Sequence, residues 1–412
     1  MSLPIIHVDQ LQPGIFICLE GKGWLDHPFF FNSFRISDRK QIATLRKLGI
    51  QWVAFDPARS TTRPLELKKV PQAVVSELSP EDAQRMAAKQ ERIERVNKYR
   101  ERIVMREREY HAAVTSTRSA IEAMLRDPAK AADDAAQLAR QIASTFIGDE
   151  GVTLTFISYD KVDLPAFQHA TNTMILALTL GRAAGLDPES MELLGLGAML
   201  HDIGKVKVKS TILMNSQRNA AAENAYRMHI PYGADMVRSA VDPQVLAVIA
   251  GHHERADGKG FPNGHMLDQI DLPTRIVAIA NRYDNLCNPI RLADALTPAE
   301  ALARMFAKES NSFDSRLLSL FIRELGVYPP GSFVQLTNGV LGMIVGTNSE
   351  MPLKPSVMIY EPATPRSEAL IIDMKDEPDV KVEYTLRPQS MDKAVIAYLN
   401  PRMRMAYFAE KQ

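Results

Sequence analysis

The spacing of apolar residues changes rhythm along the chain, and the changes divide it into parts. Residues 1–78 read as a small α/β domain. Gly14 to Leu19 is a strand after the Pro13-Gly14 turn, and Trp52 to Phe55 is a second strand. Between them Ser37 is placed to cap a helix carrying Ile42, Leu45 and Leu48 on one face, with Gly49 to end it. Trp24, Pro28, Phe29, Phe30 and Phe31 form an aromatic cluster whose expected place is the core of this domain. In residues 79–148 the rhythm lengthens. Met86, Ile93, Val96, Ile103, Tyr110, Val114, Ile121 and Leu125 recur at separations of three, four or seven, which is one apolar stripe on a long helix. Glu91–Arg95 and Glu94–Lys98 add pairs in the favourable order. The pattern predicts a helical stalk, packed on a neighbouring domain or on a second subunit as a homodimer. Asp127-Pro128 stops it and caps a second helix running to Phe146.

From Val152 to Leu325 the apolar spacing is almost wholly helical, and residues 149–327 read as an all-α bundle. Residues 328–412 switch to strand signals: Phe333 to Leu336, the Asn338-Gly339 turn and Val340 to Val345 make a hairpin signature, followed by Val357 to Tyr360 and Ala369 to Ile372. Ser390 is placed to cap a short last helix. The fold class is therefore multidomain α+β: a small α/β domain, a helical linker, a helical bundle and a small β unit.

Composition narrows the classes of function. The 412 residues carry 49 basic and 49 acidic side chains, so no bulk field draws a DNA or RNA polymer. No apolar run approaches the ~18 residues a membrane span requires, and the N-terminus lacks the pattern of a signal peptide. Two cysteines, far apart, make no disulfide framework, and the expected home is the cytoplasm.

The chemistry lies between Ala198 and Asn281. Five of the nine histidines fall there: His201, His229, His252, His253 and His265. His201-Asp202 ends an apolar helix, and neighbouring helical residues point ~100° apart, so the pair can reach a metal, or two, from different sides. His252-His253 is a second doublet, and His169 sits in an otherwise apolar helix. Imidazole with carboxylate suits Fe, Mn, Ni or Zn. Two such ions ~3.5–4 Å apart favour in-line displacement at phosphorus. Lys205 and Arg255, beside the two doublets, are the cations a phosphodiester needs. His265 is expected to be exposed, and His7, His27 and His111 structural.

Residues Val152 to Gly326 resemble the HD-GYP family, a bacterial branch of the HD phosphohydrolases. The resemblance is carried by His169, by Leu200-His201-Asp202-Ile203-Gly204-Lys205, by His229 with Gly233, by the run His252-His253-Glu254-Arg255-Ala256-Asp257-Gly258-Lys259-Gly260-Phe261-Pro262, and by Arg275 to Ala280. The region before it resembles a domain of unknown function often fused ahead of such domains. The resemblance implies hydrolysis of cyclic di-GMP to pGpG or GMP, with metal-bound hydroxide attacking the phosphodiester. It implies two divalent transition-metal ions, Fe, Mn or Ni, held by His169, His201, Asp202, His229, His252, His253 and Asn281. It gives Asp202 and Lys205 catalytic roles. Lys205, Arg255, Arg291 and the Gly260-Phe261-Pro262 loop would contact substrate, and that loop would also dock signalling proteins such as diguanylate cyclases.

Four departures bear on this. Phe261 stands where the family has Tyr, keeping the ring without the hydroxyl. Asn281 stands where it has an aspartate ligand and brings no charge. Pro165 stands where some members have a glutamate for a third metal, which favours two. Asn-Arg-Tyr-Asp-Asn-Leu (281–286) departs from the usual segment but keeps Asp284, which can tune a ligand from behind. Two other readings stand beside the hydrolase: a weakened module that binds cyclic di-GMP or docks a partner, and an HD enzyme acting on mononucleotides.

Overall fold

The computed structural model describes residues 3–19, 29, 32–66, 80–147, 152–157, 165–348, 351–362, 364–366, 369–377, 379–400 and 405–411. In chain order the elements are β1 (Ile5–His7), β2 (Phe16–Cys18), β3 (Ser33–Arg35), α1 (Arg39–Lys47), β4 (Trp52–Asp56), α2 (Pro80–Arg126), α3 (Pro128–Ala143), β5 (Val152–Ile157), α4 (Pro165–Ala183) and α5 (Pro188–Leu200). They continue with α6 (Ser210–Leu213), α7 (Ala220–Arg227), α8 (His229–Val237), α9 (Pro243–Gly251), α10 (Leu272–Cys287), α11 (Pro298–Lys308) and α12 (Ser315–Leu325). The chain ends with β6 (Phe333–Leu336), β7 (Leu341–Gly346), β8 (Ser356–Ile359), β9 (Ile371–Asp373), β10 (Val382–Leu386), α13 (Lys393–Leu399) and β11 (Ala406–Lys411). The expected multidomain α+β class is what the chain adopts. No helix among the described residues is long and apolar enough to cross a membrane.

The elements group into two compact units. The first holds Met1–Arg102, Phe333–Met343 and Ser356–Leu399; the second holds Ile103–Ser332, Ile344–Pro355 and Asn400–Gln412. The residues expected to form a separate C-terminal β unit are thus divided between them. In the first unit, β1, β4, β2 and β3 form an antiparallel sheet in that order. Helix α1 is capped by Asp38, whose carboxylate accepts from Gln41 N, rather than by the neighbouring Ser37. The charged acceptor makes the stronger bond to the helix end. Likewise Asp392, not Ser390, accepts from Ala394 N at the last helix. Of the aromatic cluster, Phe29 is buried and packs on Phe34 at 5.0 Å, while Trp24, Pro28, Phe30 and Phe31 lie outside the described residues.

The long helix α2 covers the predicted span. Tyr110, Val114 and Ile121 of its stripe are buried and Leu125 is half-buried. The side chains of Met86, Ile93, Val96 and Ile103, and the pairs Glu91–Arg95 and Glu94–Lys98, lie outside the described residues.

The second unit is built around α4. Nearly every residue from Ala170 to Gly181 is buried, as befits a helix covered on all sides. It packs on α5, α10, α12 and β11. Several surrounding helices start in one way. Asp127, Asp187, Asp242 and Asp271 each accept a hydrogen bond from the first turn, and a proline follows at its first or second position. Small residues set the distances between helices. Ala131, Ala135, Ala139 and Ala143 form the buried face of α3, and a Cβ on Gly195 of α5 would lie 3.7 Å from Ala139 O. A Cβ on Gly197 would stand 2.9 Å from Val248 of α9.

One expectation fails at the edge of this bundle. Val152 does not begin helical structure; Val152–Ile157 is a strand that pairs antiparallel with β11, from Ala406↔Ile157 to Lys411↔Val152. Its partner lies some 250 positions away, and alternating Val, Thr, Leu and Phe become a strand only when that partner arrives.

Gly204 shows how tightly the bundle closes. It lies in the single 3-10 turn Ile203–Lys207, against α8, where a Cβ would fall 2.0 Å from His229 O and 2.4 Å from Gly233 N. Both are backbone atoms, so α8 would have to move. Gly204→Ala should therefore destabilise the protein by about 3 kcal/mol. Gly185→Ala, at φ +80 with open space around it, should cost only about 1 kcal/mol of backbone strain. Urea midpoints of the two variants check this, and equal shifts would contradict the steric account.

Candidate metal centre

Four separate stretches of chain deliver the site. His169 comes from the second turn of α4, and His201 and Asp202 from the end of α5. His229 opens α8, and His252 and His253 follow α9. The donor atoms form two sets that share Asp202. Asp202, His229, His252 and His253 make one, and His169, His201 and Asp202 the other, with the atoms of each set within 4.8 Å of one another.

Four of the five rings are aimed by a bond to the other nitrogen. Nδ1 of His201 meets Ala198 O at 2.7 Å, Nδ1 of His229 meets Tyr226 O at 2.6 Å, and Nδ1 of His252 meets Ile249 O at 3.0 Å. All three acceptors are carbonyls three residues back, at or near a helix end where such groups are otherwise unpaired. A carbonyl can only accept, so each Nδ1 carries the proton and each Nε2 offers a lone pair. His169 Nδ1 is held by Asp284 Oδ2 at 2.6 Å.

The free nitrogens surround the Asp202 carboxylate. Its Oδ1 lies 3.6 Å from Nε2 of both His229 and His252, and its Oδ2 lies 3.2 Å from His201 Nε2 and 3.6 Å from His169 Nε2. Asp202 Oδ1 and the Nε2 atoms of His229, His252 and His253 are buried without a hydrogen-bond partner. Each orphaned polar atom costs about 1–3 kcal/mol unless something fills the space between them. Electron-pair donors with no donor opposite are what a divalent cation requires, so the residues fit a metal.

Electrostatics agree. Burial works to raise the Asp202 carboxyl, but Lys205 and the imidazoles outweigh it and hold it well below the usual carboxylate range. Burial works to lower Lys205, yet Asp202, which it contacts directly, holds it above its ordinary value. Burial pushes His229 down, His252 down to about 3 and His253 well below 6.5, which keeps all three neutral.

Other predicted residues are placed less directly. Phe261 stacks on His253, with centroids 4.6 Å apart and planes 20° apart, so the ring is used for packing and its missing hydroxyl is no loss there. Gly260 lies so close to the turn before it that a Cβ would be 2.4 Å from Arg255 N. Pro262 is exposed. Arg255 forms a two-pronged pair with Asp257 at 3.0 and 2.6 Å, and Arg291 an exposed one with Asp294 at 2.7 and 2.8 Å. Asn281 is buried, and its side-chain oxygen accepts from Asn285. His265 is half-buried rather than exposed, because its backbone N–H donates to Glu254.

Some contributors were given no role from the sequence. Glu254 is buried and accepts from Asn263 N and His265 N, so it ties down the glycine-rich loop. Tyr226 stands between Lys205, 5.7 Å from its ring, and the His229 ring at 4.8 Å, while Arg218 lies over it at 3.9 Å. Its position one turn before a ligand-type histidine is the only mark it leaves in the sequence. Asp284, noted there as a residue that tunes a ligand, also accepts from Asn172 and Asn288, each at 2.8 Å, and Asn172 accepts from Tyr110.

Protein stripped of metal should lose stability as the pH falls. An imidazole that the fold keeps neutral binds its proton more readily in the unfolded chain. The contribution of His229, His252 and His253 is therefore full above about pH 6.5 and is lost as pH falls below it, by at most about 1.4 kcal/mol per pH unit for each ring. Urea unfolding of chelator-treated protein between about pH 7.5 and 5 reads this. A flat profile would contradict the buried neutral cluster.

Comparison with known proteins matches two segments of the chain. Residues 160–317 match the HD domain family, and residues 4–135 match a domain of unknown function, DUF3391. A cyclic di-GMP phosphodiesterase of Pseudomonas aeruginosa is 28% identical over 365 residues, 86% of this chain and 84% of that protein. A cyclic di-GMP phosphodiesterase response regulator of Xanthomonas campestris is 33% identical over 143 residues, 34% of this chain and 38% of that one. A 3'3'-cGAMP-specific phosphodiesterase of Vibrio cholerae is 29% identical over 186 residues, 44% of this chain and 43% of that one. The chain thus carries a segment that matches the HD domain, holding the His-Asp cluster and the glycine loop, behind a segment that matches DUF3391, and it is similar over most of its length to a cyclic di-GMP phosphodiesterase.

Proposed function

We propose that this chain hydrolyses cyclic di-GMP to pGpG or GMP in the cytoplasm, at two divalent metal ions bound by His169, His201, Asp202, His229, His252 and His253. The observation that carries the reading is the convergence of four buried, unpartnered donors on one point: Asp202 Oδ1 and Nε2 of His229, His252 and His253. The substrate is the one named for the Pseudomonas aeruginosa relative that spans most of both chains. Bound divalent ions would supply Lewis acidity and an activated water.

The chain's own residues do the rest. The carbonyls of Ala198, Tyr226 and Ile249 hold three imidazoles in one tautomer, so no ring needs to reorganise. Asp202 spans both donor sets. Lys205 keeps its charge beside Asp202 and beside the Tyr226 ring, where a phosphate oxygen would be neutralised. The Phe261 ring covers His253 and keeps water from that side. Arg255 and Arg291 reach a phosphate by exchanging Asp257 and Asp294 for it, since their side chains are 43% and 57% exposed.

One feature favours a second reading, a module that binds the dinucleotide or docks a signalling protein through the Gly260-Phe261-Pro262 loop: Asn281 offers no carboxylate. Product analysis separates the two. Metal-loaded wild type should release pGpG or GMP from cyclic di-GMP. His201→Ala should lose on the order of a thousandfold in kcat with its circular dichroism unchanged. Tight binding of cyclic di-GMP with no released product would sink the hydrolytic reading, and preference for 3'3'-cGAMP in the same assay would replace the substrate.

A further inference from the structure

The two donor sets around Asp202 are unequal. One offers four ligand atoms and the other three. The three-donor set lies next to α10, because Asp284 of that helix holds His169. Asn281 precedes Asp284 by three residues, so it shares that face one turn back, and it is buried. Its amide is already committed. Asn285 Nδ2 donates to the Asn281 side-chain oxygen and, at 2.9 Å, to the Asn281 backbone carbonyl. The backbone contact identifies the donor end of the Asn285 amide. Rotating the Asn281 amide would then set two NH2 groups against each other, so the oxygen is the end that faces Asn285. What remains of Asn281 is an uncharged NH2 group, which donates hydrogen bonds and does not ligate.

We infer that this chain binds its two metals with unequal affinity, and that the Asn281–Asn285 amide pair sets the difference. The tight site is Asp202, His229, His252 and His253; the weak one is His169, His201 and Asp202. The inference rests on the metal-dependent reading of the same cluster. Asp202 serves both sites, so a metal in the tight site draws electron density from the carboxylate that the weak site needs. With no second carboxylate to offset this, the weak site fills only at higher free metal. Occupancy of the pair, and with it the activity proposed above, then follows free divalent metal over a range in which the tight site stays full.

The test uses the full chain, stripped with chelator under anaerobic conditions and titrated with Mn2+ by calorimetry. Electron paramagnetic resonance of the same samples reports when two Mn2+ ions become coupled. Wild type should show two classes of site at least about tenfold apart in Kd, with coupling appearing only as the second fills. Asn285→Ala frees the Asn281 oxygen and should tighten the weak class. Asn281→Asp with Asn285→Ala should bring the two classes together. Asn285 is exposed on α10, and alanine is a good helix former, so the single variant retains the fold and tests the inference if the double variant does not fold. Two equal sites in wild type, or a weak class that neither variant moves, would overturn the inference and leave the metal-dependent reading intact. No Mn2+ bound by any of the proteins would overturn both.

Discussion

A carboxylate with one oxygen sealed from water is the constraint on which the rest of this site depends. Taking Asp202 out of water costs several kcal/mol unless opposite charge and hydrogen bonds replace the lost hydration. Lys205 supplies a charge three residues later, in direct contact. The His229 and His252 imidazoles facing the other oxygen of Asp202 are kept neutral by burial, and they cannot donate from Nε2 while Nδ1 carries the proton. The apoprotein therefore leaves Asp202 Oδ1 unsatisfied among nitrogens equally unsatisfied. A fold that keeps such an arrangement, with three of the rings aimed by backbone carbonyls and a fourth by Asp284, is organised for a cation at its centre.

The same constraint explains the glycines. To bring the ends of α5, the start of α8 and the end of α9 around one carboxylate, the helices must approach closer than side chains usually permit. Gly197 lets α5 lie on Val248 of α9, and Gly204 lets the turn after His201-Asp202 lie on the backbone of His229 and Gly233. Gly260 brings the loop back over Arg255 so that Phe261 can stack on His253. Backbone approach, more than side-chain choice, sets the positions of the donor atoms.

This is also why so much of the site was legible in the sequence. His201-Asp202, His252-His253 and the glycine-rich run are local strings in which ligand and glycine stand within a few positions, and helix caps such as Asp187-Pro188 announce the elements that carry them. What was not legible depends on distant partners. Val152–Ile157 became a strand because Ala406–Lys411 lies beside it. Arg255 and Arg291 read as free cations, but each has a carboxylate two or three residues on that a scan for phosphate contacts passes over. Asn281 stood out as a missing charge. That its oxygen is taken by Asn285 depends on side-chain rotamers, which residue identities alone do not reveal.

The hydrogen bonds behind His169 extend the site beyond the segment that matches the HD domain. Asp284 holds the ring, Asn172 and Asn288 hold Asp284, and both asparagines donate to Met405 O at 2.9 Å, with Met405 N donating back to Asn288. Tyr110 of α2 donates to Asn172 at 2.8 Å. Tyr110, Asn172 and Asp284 are almost wholly buried, so each bond removed leaves a polar group that water cannot reach. Residues 160–317 contain the clustered His and Asp donor atoms but contain neither Tyr110 nor Met405. The orientation of one donor thus depends on the long helix before the HD segment and on the residue that leads into the last strand. A change in either element would act on the His169 set first, the one with fewer donors, while the His229 and His252 rings are held by carbonyls of the HD segment itself.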